Sequence, residues 1–165
     1  MELRRHTSRT LHAEHIAVLG LLDRFEKALK PLQSGPPGPD DAAWSPLLEQ
    51  LQTALQHEVT RHFALEEDQL FPRLREHGEG ELAELLLEEH AVIRDVAHTL
   101  LGLLPRAARR ELDALDWRTF RVRGLELVDR LGSHARMEED ALVPVVDEML
   151  DEDTDMEIWN AHAAS

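Results

Sequence analysis

The sequence predicts an all-α protein, an up-down-up-down four-helix bundle built from two duplicated helical hairpins. Three observations carry this. Apolar residues recur every three or four positions over long segments, and no stretch alternates with a period of two. The composition is dominated by Leu, Ala, Glu and Arg, all good helix formers. An eleven-residue motif occurs twice, once in each half of the chain. With 165 residues and 42 % hydrophobic content, the chain suits one domain with one core.

The first helix spans 8–30, where Leu11, His15, Val18, Leu19, Leu22 and Phe25 form one face and Pro31 ends the run. Residues 34–41, Ser-Gly-Pro-Pro-Gly-Pro-Asp-Asp, read as a loop. A second helix is expected from Ser45-Pro46, a favoured cap followed by a favoured first residue. Its stripe runs through Leu48, Leu51, Leu55, Val59, His62, Glu66 and Gln69, with a kink or end at Pro72 and a stop at His77-Gly78. The third helix covers 79–104, with Leu82, Leu86, His90, Ile93 and Ala97 on one face and Pro105 closing it. The fourth covers 108–149, broken near Asp116 and kinked or ended at Pro144, with Phe120, Leu127, Leu131, His134, Glu138 and Leu142 on its face. The domain is expected over 1–150, followed by an acidic, then Ala-rich tail over 151–165 that reads as a short helix or a frayed end.

Composition narrows the function. Without cysteine there is no disulfide, thiolate metal site or thiol catalysis, and without tyrosine there is no tyrosyl radical. A net charge of −15 opposes nucleic acid and anionic membranes as partners. No apolar run reaches membrane-spanning length and the N-terminus lacks a secretory pattern, so a cytoplasmic location is the expectation. The sequence leaves the oligomeric state open.

The duplicated motif carries the chemistry. Residues 62–72 (His-Phe-Ala-Leu-Glu-Glu-Asp-Gln-Leu-Phe-Pro) and 134–144 (His-Ala-Arg-Met-Glu-Glu-Asp-Ala-Leu-Val-Pro) are identical at six of eleven positions. Upstream, Ala13-Glu14-His15-Ile16 matches Glu88-Glu89-His90-Ala91. His62 and Glu66 lie one turn apart on one helix face, and His134 and Glu138 repeat that geometry. His15 and His90 sit mid-helix among apolar neighbours and should point inward. One inward histidine is ordinarily a satisfied core residue, and one His-x-x-x-Glu pair is ordinarily a surface pair. Here the duplicated polar positions share a face with the leucines, and two carboxylates facing four imidazoles make a poor core without cations. The set His15, His62, Glu66, His90, His134 and Glu138 is rich enough for two metals bridged by the carboxylates. Iron, manganese and zinc all accept these ligand types.

Other polar residues draw weaker expectations. His12 lies at the edge of the ligand face and reads as surface, with a supporting role beside the ligand histidines as the alternative. Glu58, one turn before His62, is open to roles as an extra ligand, a proton relay or a hydrogen-bond acceptor. Glu67, Asp68, Glu139 and Asp140 fall off the ligand face and read as solvated. His57, His77 and His98 read as surface or packing residues, and His6 and His162 as uninvolved. Trp44, Trp117, Trp159, Leu65 and Met137 read as packing.

The order His, His-x-x-x-Glu-Glu, Glu-His, His-x-x-x-Glu-Glu resembles the hemerythrin-like, or HHE cation-binding, family over about residues 8–148. The resemblance implies that the six residues above ligate two iron ions as an oxo- or hydroxo-bridged non-haem pair. Oxygen-carrying members use five histidines with one Glu and one Asp, and a histidine pair four apart on the third helix; here those partner positions are Arg94 and Leu86. The set of four His and two Glu is similar to that of the sensor, stress and repair members, which argues against simple oxygen carriage. The Glu-x-x-His pattern of ferritin-like bundles is absent. The implied function is binding of, or reaction with, O2, NO or peroxide in sensing, scavenging, stress response or iron handling. An oxidase, oxygenase or peroxidase-like enzyme is the alternative, and a metal-free helical interaction module is a third reading.

Overall fold

A computed structural model describes residues 2–164, and among these there is no β-strand. Five helical rods make up the fold. Helix α1 is His6–Leu29. Helix α2, residues 44–77, runs as α-helix Trp44–His57, π-turn Glu58–His62, α-turn Phe63–Leu65, π-turn Glu66–Leu70 and α-helix Phe71–His77. Helix α3 is Gly80–Ala108. Helix α4, residues 114–149, joins Ala114–Met137 to Val143–Met149 through the π-turn Glu138–Leu142. Helix α5 is Glu152–Ala164 and packs against α1. No helix among the described residues is long and apolar enough to cross a membrane.

The core is split into two apolar clusters. The larger gathers Val18, Phe25, Trp44, Leu55, Ile93, Leu100, Phe120 and Leu131 among others. The smaller gathers Leu11, Leu70, Phe71, Leu86, Leu142 and Ile158 among others. Each of the first four helices contributes to both clusters and carries its inward polar residues where it passes from one cluster to the other. α1 and α3 pass from the smaller cluster to the larger, and α2 and α4 pass the other way. A polar layer is thereby held between two dry ones. At Gly124 a Cβ would lie 2.7 Å from Leu29 Cδ2 and 3.0 Å from Phe25 Cζ, so glycine permits the close approach of α1 and α4.

Several boundaries differ from expectation. Pro105 lies inside α3, which continues to Ala108. So near the helix end its missing N–H interrupts little of the hydrogen-bond ladder. The fourth helix starts at Ala114, where the Asp113 carboxylate accepts from the Asp116 N–H; the break lies at 109–113. Ser45 does not cap α2; its hydroxyl donates to the Ala108 carbonyl at 2.6 Å. Pro72 and Pro144 each follow a π-turn at the start of a fresh α-segment, where a missing N–H costs least.

The first turn of α1 has no side-chain cap of its own. Its orphan donors are satisfied from the far end of the chain. Asp147 accepts from the Arg4 and Arg5 N–H groups at 2.8 Å and from the Ser8 hydroxyl at 2.6 Å. Asp155 of α5 accepts from the His6 and Thr7 N–H groups at 2.7 and 2.8 Å. These bonds outweigh burial and hold the Asp147 carboxyl down at about 2.

Candidate metal centre

The six residues singled out by the duplication converge in the polar layer, and all are buried. They form two histidine pairs. His15 Nε2 and His62 Nε2 are 3.2 Å apart, and His90 Nε2 and His134 Nε2 are 3.1 Å apart. Each carboxylate reaches from one pair to the other. Glu66 sets Oε1 3.2 Å from His62 Nε2 and Oε2 3.1 Å from His90 Nε2. Glu138 sets Oε1 2.8 Å from His134 Nε2 and Oε2 3.1 Å from His15 Nε2. Two overlapping four-residue clusters result, His15–His62–Glu66–Glu138 and Glu66–His90–His134–Glu138, each close enough to hold one ion.

The outer nitrogen of every imidazole is held by a carboxylate from another helix. His15 Nδ1 meets Glu139 at 2.6 Å, His62 Nδ1 meets Glu14 at 2.6 Å, His90 Nδ1 meets Glu67 at 2.7 Å, and His134 Nδ1 meets Glu89 at 2.6 Å. An ionised carboxylate only accepts, so Nδ1 carries the proton in each ring. In a neutral ring Nε2 is then a bare lone pair, and all four point at the centre. The four oxygens of Glu66 and Glu138 have no hydrogen-bond partner. Lone pairs thus face lone pairs in a dry layer, an arrangement stable only with cations or added protons there. The donor set therefore fits metal ions.

Protons are the competitors. Burial pulls the pKa of His90 down, but Glu138, Glu66 and Glu67 outweigh it and raise the ring to about 9. The same balance raises His15 and His134, mainly through Glu138, and raises His62 well above its ordinary value through Glu58 and Glu66. Glu138 goes the other way: against burial, the attraction of the neighbouring imidazoles of His134, His15 and His90, once protonated, pushes it well below the usual carboxylate range.

Glu67 and Glu139 are not solvated bystanders as expected. Each is half-buried and holds a histidine of the buried layer from another helix. Glu14 and Glu89 play the same part and were not singled out. Their signal was present in the doubled Glu-His and Glu-Glu dipeptides, in which one residue enters the centre and its neighbour reaches sideways. His12 joins this layer, 2.6 Å from Glu139, and Arg94 joins it 2.7 Å from Glu67. Asp68 and Asp140 stay outside. His57 and His162 are not idle either; both reach Glu14.

Glu58 is 3 % exposed and lies toward the first pair, with Oε1 3.9 Å from His62 Nε2 and no hydrogen-bond partner. Burial raises its pKa, against a lowering by His62. Phe63 closes the second pair, stacked on His90 with ring centroids 3.7 Å apart.

Comparison with curated proteins gives no match. The family model described as the hemerythrin HHE cation-binding domain matches residues 6–156, which takes in all four helices that build the centre. The polar layer, its two histidine pairs and the carboxylates spanning them thus have a family setting: the chain belongs to the hemerythrin HHE cation-binding domain family.

Proposed function

We propose that this protein holds two iron ions through His15, His62, Glu66, His90, His134 and Glu138, and that it binds or reacts with O2, NO or peroxide there. One observation carries the reading. Glu66 and Glu138 each extend one oxygen toward each histidine pair, and none of the four oxygens has a hydrogen-bond partner. That is the disposition of carboxylates shared between two cations. Iron bound there would supply redox chemistry and an open coordination position for a small ligand.

The residues around the centre support that use. Glu14, Glu67, Glu89 and Glu139 fix each ring's orientation and tautomer and raise its basicity as a ligand. The apolar clusters on either side keep water out. The ligand asymmetry is local: Phe63 covers the His90–His134 pair, whereas Glu58 faces the His15–His62 pair and also lines a cavity of about 730 Å³ between α1 and α2. That cavity is the observation favouring the second reading, an enzyme acting on an organic substrate. It is walled by Val18, Leu21 and Ala54 and has Glu14, His57 and Glu58 among its polar lining.

The deciding measurement is metal content together with the visible spectrum before and after air, NO and peroxide. Two irons per chain and a spectrum that responds to one of these ligands are expected. Protein that takes up no iron under reducing conditions would overturn the proposal. Consumption of O2 that depends on an added organic compound would select the enzymatic reading.

A further inference from the structure

A third group of metal-ligating side chains lies outside the centre. Glu14 of α1, His57 of α2 and His162 of α5 come together at the edge of the bundle. His57 Nε2 and His162 Nε2 both lie 3.2 Å from the same atom, Glu14 Oε1. All three ligand atoms fall within 4.8 Å of one another. Around a four-coordinate zinc-like ion with bonds of about 2.0–2.1 Å, neighbouring ligand atoms stand about 3.3 Å apart. The observed nitrogen-to-oxygen distances match that edge. The residues are half-buried, so three protein ligands would leave a fourth position to water.

The duplication sets this group apart. Glu14 and Glu89 are equivalent, and each needs one oxygen to hold its histidine, His62 or His134. At Glu89 the position equivalent to His57 is Asp129, and among the described residues lining the adjacent groove there is no histidine. At Glu14 the remaining oxygen is faced by two imidazoles, one contributed by a helix outside the four-helix repeat. Orienting His62 requires neither. Three ligands drawn from three helices, separated by 43 and 148 residues in sequence, converge on one point.

We infer that Glu14, His57 and His162 form a separate binding site for a single divalent cation of the zinc class, distinct from the buried centre. The imidazoles turn their Nε2 lone pairs to the ion on losing the protons they share with Glu14. Glu14 Oε2 stays on His62 Nδ1, so one carboxylate touches both the peripheral ion and a ligand of the centre. The ion also ties α5 to α1 and α2.

The test uses the full chain, first loaded with iron and freed of loose metal, then titrated with Co²⁺ without air. One further Co²⁺ per chain is expected, with the ligand-field bands of a four-coordinate ion, and displaceable by Zn²⁺. His57→Gln and His162→Gln keep a hydrogen-bond donor for Glu14 but remove an imidazole; each should weaken this binding on the order of 100-fold while the iron content and helical dichroism stay unchanged. No cobalt beyond the centre's complement, or uptake unaffected by both variants, overturns the site. The inference does not rest on the di-iron reading. In protein never given iron, cobalt uptake sensitive to His57 and His162 keeps this site even if the centre rejects iron.

Discussion

The two halves of the duplication build the same inner layer and different outer layers. Both supply an inward histidine, a His-x-x-x-Glu pair and two holding carboxylates at matching positions. Around that constant set the halves diverge. Glu58, buried against the first pair, corresponds to Arg130, which is half-exposed and paired with Glu126 at 2.8 Å. His57 corresponds to Asp129, and the groove between α1 and α2 is about 730 Å³ against about 360 Å³ for the groove lined by Glu89, Asp129 and Arg130. The lesson is that the geometry needed to bind cations tolerated no drift, whereas the surroundings that decide what reaches them were free to specialise on one side.

The largest expected effect should be equal in the two halves. Glu66→Ala and Glu138→Ala each remove a carboxylate that touches both histidine pairs, so each should cost more metal than any single histidine variant. On the proposed di-iron reading, iron content should fall from two per chain toward none. Retention of two irons with an unchanged spectrum in either variant would break the spanning assignment.

A second effect concerns pH and has opposite signs with and without metal. In metal-free protein the histidines have raised pKa values, with Glu138, Glu66 and, at His62, Glu58 overcoming burial. Their contribution is complete below the unfolded value of about 6.5 and is lost as pH rises through the folded value, about 9 for His90. The unfolding free energy of metal-free protein, read from urea titrations, should therefore fall across that window by an amount on the order of 1–3 kcal/mol. Iron must displace the same protons, so affinity should climb over the same window. Parallel trends in the two forms would contradict the assignment of Nε2 as the shared atom.

Holding residues should sharpen the contrast between halves. Glu89→Gln weakens one orienting bond, and about 10–100-fold in metal affinity is expected. Glu14→Gln should cost at least as much, since burial alone would raise this carboxylate, yet His62 and His162 lower it to about 2. Competition with a chelator measures both. The smallest effect is the most asymmetric one. Glu58→Gln should stabilise metal-free protein at neutral pH by about 1 kcal/mol, because a neutral side chain avoids the burial cost that raises the Glu58 pKa. Arg130→Gln should change stability by less than about 0.5 kcal/mol. Equal responses in urea unfolding would mean that Glu58 is compensated as well as its counterpart.

The fold class and the six inward residues were legible because they obey one rule: a side chain on the leucine stripe of a helix points at the core. His15 follows Leu11 and precedes Val18, and Glu138 precedes Leu142, so periodicity alone places them. The holding carboxylates escaped that rule. Glu14, Glu67, Glu89 and Glu139 each sit one residue off the stripe, and their partners are on other helices, which no single-helix periodicity reveals. One helix limit failed where proline was read as a stop: Pro105 sits close enough to an end to be tolerated. At Pro72 and Pro144, where a kink or an end was expected, the helix restarts after a π-turn. The π-turns themselves, at Glu58–His62, Glu66–Leu70 and Glu138–Leu142, leave no mark in composition, since they answer to the packing of a buried polar layer.

The fastening of α1 by Asp147 and Asp155 has a consequence for the order of events at the ribosome. The donors lie at residues 4–8 and the acceptors 139–149 residues later. At about 5–20 residues per second, roughly 7–30 s separate the emergence of the two. Throughout that interval the first helix carries an uncapped leading turn, and His15 awaits Glu138 and Glu139. Neither four-residue cluster is complete until Glu138 has emerged, and a nascent chain stalled before that point would expose a histidine-bearing helix with nothing to close over it.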